Sequence, residues 1–147
     1  MPEQETIERA REDAREGKSA STQAGEFVRE EIHHIREGKH GASSPQQAIA
    51  IGLSKARRAG VKLPPPKGSA SMREKAAQDE RAGKQPRHKV SPRRSRAAEN
   101  ALRREPRQSA SKRSLSRQAK SAAAKRGRKS RSTAAIKAAH TRKRRSS

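Results

Sequence analysis

The chain has 147 residues, of which 38 are Lys or Arg and 15 are Asp or Glu, for a formal net charge of +23 at pH 7. Only 28% of it is hydrophobic, 36% is charged, Phe27 stands alone among Phe, Tyr and Trp, and there is no cysteine. This composition excludes disulfides, thiolate metal sites and cysteine nucleophiles, and it leaves too little apolar area for a large core.

In chain order, Glu3 to Glu16 reads as a highly charged helix. Glu5 and Arg9 attract at i,i+4 spacing, whereas Glu8 with Glu12 and Arg11 with Arg15 repel, and Ile7 is the only large aliphatic. A solvated, fraying acidic helix over residues 1–20 is expected. With no apolar leader in this segment and no apolar run near about 18 residues anywhere, a soluble, intracellular chain without a membrane role is expected.

Ala24, Val28, Ile32 and Ile35 then recur at spacings of four, four and three, with Phe27 on their flank, which predicts a helix over about 22–37. Gly38 and Gly41 stop it. Ser44 as N-cap, Pro45 at the first helical position and Gln47 as the third element of a capping box start a second helix over about 45–59. Ile49, Leu53 and Ala56 share one face, with Ala48, Gly52 and Ala59 beside them as small residues that let two backbones approach. The short connection implies an antiparallel helical hairpin over 21–63, packed through Phe27, Val28, Ile32, Ile35, Ile49, Leu53 and Ala56, with Val61 and Leu63 folding back on it. Pro64, Pro65 and Pro66 form a stiff spacer at 64–68.

The charge changes at that spacer. Residues 1–66 hold 11 cations against 10 acids, and 67–147 hold 27 against 5. After Glu105 there is no acid at all, and residues 106–147 carry 15 Lys or Arg. Helix-favouring stretches occur at about 72–82, 92–104, 111–126 and 133–144, but Met72, Val90, Leu102, Leu115 and Ile136 are isolated apolar residues. Residues 69–147 are therefore expected to form a polycationic, low-complexity tail. Ser95, Ser121 and Ser132, each followed by an alanine pair, are expected to cap short basic helices in it. The expected fold class is mainly α with extensive disorder: a small antiparallel helical hairpin plus a long, mostly disordered basic tail with nascent helices.

The stretch from Ser44 to Gly60, with its Gln47-Ala48-Ile49-Ala50-Ile51 run and Ser54, Ala56, Arg57 and Gly60, together with Glu26-Phe27-Val28 and the Gly38-Lys39-His40-Gly41 turn, resembles a small bacterial family of unknown function. That family shares a QAIAIxLSxARxAG helical core, usually carries a basic tail and is often labelled DNA-binding. The resemblance covers residues 24–66 and implies a bacterial origin; together with the basic tail, a cytoplasmic, nucleoid-associated protein is expected.

Two tail segments are similar to minor-groove devices. Ser91-Pro92-Arg93-Arg94 resembles the Ser-Pro-basic-basic units of histone tails, and Lys125-Arg126-Gly127-Arg128-Lys129 resembles the core of an AT-hook, although no proline follows Arg128 directly as the hook pattern requires. The whole tail is similar in composition to linker-histone tails. Dense cations neutralise duplex phosphates whatever the sequence. The expected contacts are Arg93, Arg94, Lys125, Arg126, Arg128, Lys129, Arg131, Arg142, Lys143, Arg144 and Arg145.

These features favour a sequence-nonspecific, histone-like DNA-binding protein. The alternatives are an RNA-binding or ribosome-associated protein, for which the tail lacks stacking aromatics, and an interaction scaffold anchored by its charge. The hairpin is the expected site of a homodimer or a protein partner, because it buries little alone. No catalytic residues and no cofactors are expected: Glu26, Glu30, Glu37 and the serines lack a desolvated pocket. No metal site is expected either, because His33 and His34 point about 100° apart on a helix, His40 lies in a turn, and His88 and His140 are expected in coil.

Overall fold

The two central helices form for local reasons. In the structure, a computed structural model describing residues 2–86 and 89–146, the first of the pair begins at Ser19. The Ser19 Oγ accepts a hydrogen bond from the Thr22 N–H at 3.3 Å, and the helix ends at Gly38 with φ 81°. The second begins at Ser44, whose Oγ accepts from the Gln47 N–H at 3.2 Å, with Pro45 in the first turn. The Gln47 side chain receives the Ser43 N–H at 2.6 Å, so the reciprocal bond lands one residue earlier than a capping box would place it.

Among the described residues there are seven α-helices: α1 (Gln4–Arg15), α2 (Ala20–Glu37), α3 (Pro45–Arg58), α4 (Ala70–Lys84), α5 (Pro92–Arg104), α6 (Lys112–Lys125) and α7 (Gly127–Ser146), with a 3-10 turn at Gln108–Ala110. They fall into two compact units, Met1–Ser111 and Lys112–Ser147.

Helices α2 and α3 pack antiparallel, with Ile35 and Ala48 meeting near the turn and Phe27 and Ala56 at the far end. The seam of α3 is Ala48, Gly52 and Ala56, all buried. A Cβ at Gly52 would lie 2.6 Å from Val28 Cα, so only glycine permits this crossing. The close approach pushes Ile49 and Leu53 to half-buried flanks and leaves Ala59 exposed. Two small apolar clusters result. Ala10, Ala24, Phe27, Ala56 and Val61 form one, flanked by Ile7, Leu53 and Leu63; Ile35, Ala42, Ala48 and Ala110 form the other, flanked by Ile32. Val28 is half-buried at the crossing.

Membership of Ala10 and Ala110 in these clusters corrects the expected fold. Helix α1 is not a solvated appendage: Thr6, Ala10 and Asp13 are buried, and Arg9 Nε reaches Glu26 Oε2 on α2 at 2.7 Å. The spacer of three prolines does not release a disordered tail either. Beyond it, α4 docks on α3 through Ala76 and Asp79, where the buried Asp79 carboxylate accepts from Ser54 Oγ at 2.7 Å, Arg58 Nε at 2.9 Å and Lys75 Nζ at 3.1 Å. Burial raises the Asp79 pKa, but the bonds from Ser54, Lys75 and Arg58 outweigh it and hold the carboxyl below its ordinary value. Residues 102–110 then cover the α2–α3 turn: the Gly41 N–H donates to Leu102 O at 2.8 Å, the Ala42 N–H to Pro106 O at 3.1 Å, and Arg36 Nε to Ala110 O at 2.9 Å. A Cβ at Gly41 would sit 1.8 Å from Glu105 O.

The remainder, α6 and α7, is helical throughout with no buried residue. An α-helix satisfies its backbone within itself, so Ala, Arg, Lys and Gln hold the conformation without a core. The disorder expected from low apolar content is therefore replaced by helix. Ser95, Ser121 and Ser132 lie inside α5, α6 and α7 rather than at their starts. No described helix is long and apolar enough to cross a membrane.

Candidate functional site

Two features carry chemistry: a set of cationic helix surfaces and a buried cluster of glutamates and histidines. On α5, Arg93, Arg96, Arg103 and Arg104 recur at helical spacing and share a stripe about 100° wide, all exposed. Arg103 Nη2 meets Glu99 at 2.6 Å, and Arg94 lies off the stripe. On α6, Lys112, Arg113, Arg117 and Lys120 occupy one side, with Leu115, Ala119 and Ala122 on another. On α7, Arg128, Lys129, Arg131, Lys137, Arg142, Lys143, Arg144 and Arg145 point in all directions, and Ile136 is 59% exposed. Residues 112–147 hold 14 Lys or Arg and no Asp or Glu.

The structure places every expected DNA contact on or next to a helix. Arg93 and Arg94 are in the first turn of α5, because Pro92 occupies its first position and Ser91 its N-cap. Ser91-Pro92-Arg93-Arg94 is thus a helix start and not the compact turn of a groove reader. Lys125 ends α6, Arg126 occupies the break, and Arg128, Lys129 and Arg131 open α7. Gly127 has φ 76°, a value that separates the two helices rather than extending the chain along a groove floor. Arg142, Lys143, Arg144 and Arg145 form the last turn of α7. Arg96, Arg103, Arg104, Lys112, Arg113, Arg117 and Lys120 were missed, although a period of 3.6 applied to the tail groups them.

The second feature lies at the turn end of the hairpin. Glu31 on α2 is fully buried, with Lys55 of α3 bonded to its Oε1 and His40 Nε2 3.1 Å from its Oε2. His34 Nδ1 is 4.0 Å from Glu31 Oε1, and its Nε2 lies 3.0 Å from Glu3 Oε1 and 3.9 Å from Glu30 Oε1. Glu30 also accepts the Glu3 N–H at 3.1 Å. The hydrogen bond to His34, aided by Lys39, holds the Glu3 carboxyl below its ordinary pKa. Glu30 Oε2 and Glu31 Oε2 are buried and accept no hydrogen bond.

The geometry that separates His33 from His34 is real: His33 faces outward and pairs with Glu37 at 2.9 Å. The pairing that matters joins α2 to the turn, bringing His34 and His40 to a ring separation of 6.4 Å. His140 lies on α7 and is exposed, contrary to the coil expected for it, and His88 is outside the described residues.

A family of unknown function, DUF6496, matches residues 15–67. The match covers α2, α3 and the prolines and stops before every basic helix. It supports a family of unknown function over the hairpin and carries no statement about the QAIAIxLSxARxAG core, the basic tail or DNA. No curated protein and no solved structure matches the chain.

Proposed function

We propose that this chain is a sequence-nonspecific, histone-like protein that binds duplex DNA by neutralising its phosphates with the exposed cations of α5, α6 and α7. The observation that carries this reading is the acid-free charge of residues 112–147: 14 cations, 13 of them on two helices that bury no described residue and Arg126 at the break between them. Helix α7, with cations on every side, has no apolar face to pack, and the like charges of both helices repel one another until a polyanion offsets them. A duplex presents one phosphate charge per about 1.7 Å of axis, a density that suits cations distributed around a helix. The distribution on α7 favours backbone contact over base reading, which needs particular side chains aimed at one groove. Both groove-like segments begin or join helices, so the proposal rests on phosphates rather than on A·T recognition.

The test is a salt series of duplex binding with the full chain. Each lost phosphate contact removes about 0.9 from the slope of log K against log salt. The variant R142Q/K143Q/R144Q/R145Q is expected to lower the slope by about 3 to 4. An unchanged slope overturns the assignment to α7, and preferential displacement by structured RNA overturns the choice of DNA.

A further inference from the structure

Hydrogen bonds fix the tautomers of the two histidines around Glu31. His40 Nδ1 lies 3.0 Å from the Gly41 carbonyl oxygen. A carbonyl only accepts, so Nδ1 carries the proton, and Nε2 of the neutral ring is a bare lone pair. That nitrogen lies 3.1 Å from Glu31 Oε2, and no hydrogen bond reaches the oxygen. In the same way His34 Nε2 donates to the Glu3 carboxylate at 3.0 Å, leaving its Nδ1 lone pair on the side of Glu31. Two nitrogen lone pairs and a buried anionic carboxylate thus converge. Lys55 Nζ on Glu31 Oε1 is the cation already beside them, and Glu31 Oε2 is left without a hydrogen bond.

We propose that Glu31, His34 and His40 bind one divalent transition-metal ion of the zinc class, through the Glu31 carboxylate, His34 Nδ1 and His40 Nε2. Each of the three residues offers a ligand atom, and these lie within 4.8 Å of one another, with His34 Nδ1 4.0 Å and His40 Nε2 3.1 Å from the Glu31 carboxylate. Ligands of a tetrahedral ion with bonds of about 2.0 Å stand about 3.3 Å apart, a gap that rotation of the histidine side chains spans. Two imidazoles and one carboxylate suit zinc better than magnesium or calcium, which take oxygen ligands. Glu3 supplies the outer layer: it holds His34 Nε2–H at 3.0 Å, the arrangement that orients metal-bound imidazoles, and Glu30 in turn accepts the Glu3 N–H. The three carboxylates Glu3, Glu30 and Glu31 make a local negative centre in a chain of charge +23. Lys55 is the resident competitor: its ammonium sits on Glu31 Oε1 and moves toward solvent when the ion enters.

The probe is Zn2+ added to chelator-treated full-length protein, with Co2+ as its spectroscopic substitute. One ion per chain, a raised melting temperature with Zn2+ and visible absorption from Co2+ are expected. His40→Asn, a change in the turn, is expected to weaken binding by about tenfold or more with the helical circular dichroism kept. His33→Asn and His140→Asn should bind as the unmodified chain does. Should His40→Asn fail to fold, Lys55→Met provides the second reading, because removing the competing ammonium tightens Zn2+ binding severalfold. The proposal is overturned if the unmodified chain takes up no stoichiometric ion, if folded His40→Asn binds equally well, or if Lys55→Met binds no more tightly.

Discussion

The two units of this chain are helical for different reasons. Met1–Ser111 holds all 15 acids against 24 cations, and it uses acids as internal cement: Glu26 with Arg9, Glu31 with Lys55, Asp13 with Lys18, Asp79 with Arg58 and Lys75. Lys112–Ser147 has no Asp or Glu among its 14 cations and, among its described residues, no buried side chain. The contrast separates two uses of the same basic residues. In the first unit Arg and Lys hold helices together through carboxylates, whereas the helices of the second carry their cations with no Asp or Glu in the sequence beside them.

That contrast can be broken or sharpened by substitution. The largest effect is expected from Phe27→Ala, which empties the centre of the first apolar cluster and should cost about 3–5 kcal/mol, enough to unfold the first unit in a urea titration. Asp79→Ala removes the carboxylate that docks α4 and should cost about 1–3 kcal/mol. Its pH dependence has a definite sign. The folded Asp79 pKa is depressed, so its contribution is complete above the unfolded value of about 3.9 and is lost as pH falls through the folded value. Urea midpoints of the unmodified chain and Asp79→Ala should therefore differ at pH 6 and converge below about pH 4. The smallest effect is expected from R142Q/K143Q/R144Q/R145Q, which should change the stability of the first unit by less than about 0.5 kcal/mol while changing the salt slope of DNA binding. A large loss of stability in that variant would mean that the second unit's cations are structural after all.

The hairpin was legible because its signals are local. Ser44-Pro45 starts a helix, Gly38 stops one, and Ala48 and Gly52 mark a close crossing whose third member is Ala56 rather than the expected Ala59. The contribution of residues 70–110 was not legible, because it rests on one buried aspartate and on backbone bonds from Gly41 and Ala42, neither of which leaves an apolar period. The tail was misread for a related reason. Low apolar content argues against a core, but α6 and α7 need none to satisfy their backbones. The Glu31, His34 and His40 cluster escaped because its members lie on a helix and in the turn after it. Spacing along one helix could not join them.

The break at Gly127 has a mechanical consequence. Helices of 14 and 20 residues are rods of about 21 Å and about 30 Å, whereas an unbroken helix over the same stretch would be a single stiff rod of about 52 Å. A straight rod of that length touches a curved or writhing polymer only where the two are tangent. Two shorter rods joined at a residue with φ 76° need not share one axis, so each can lie along its own segment of the curve.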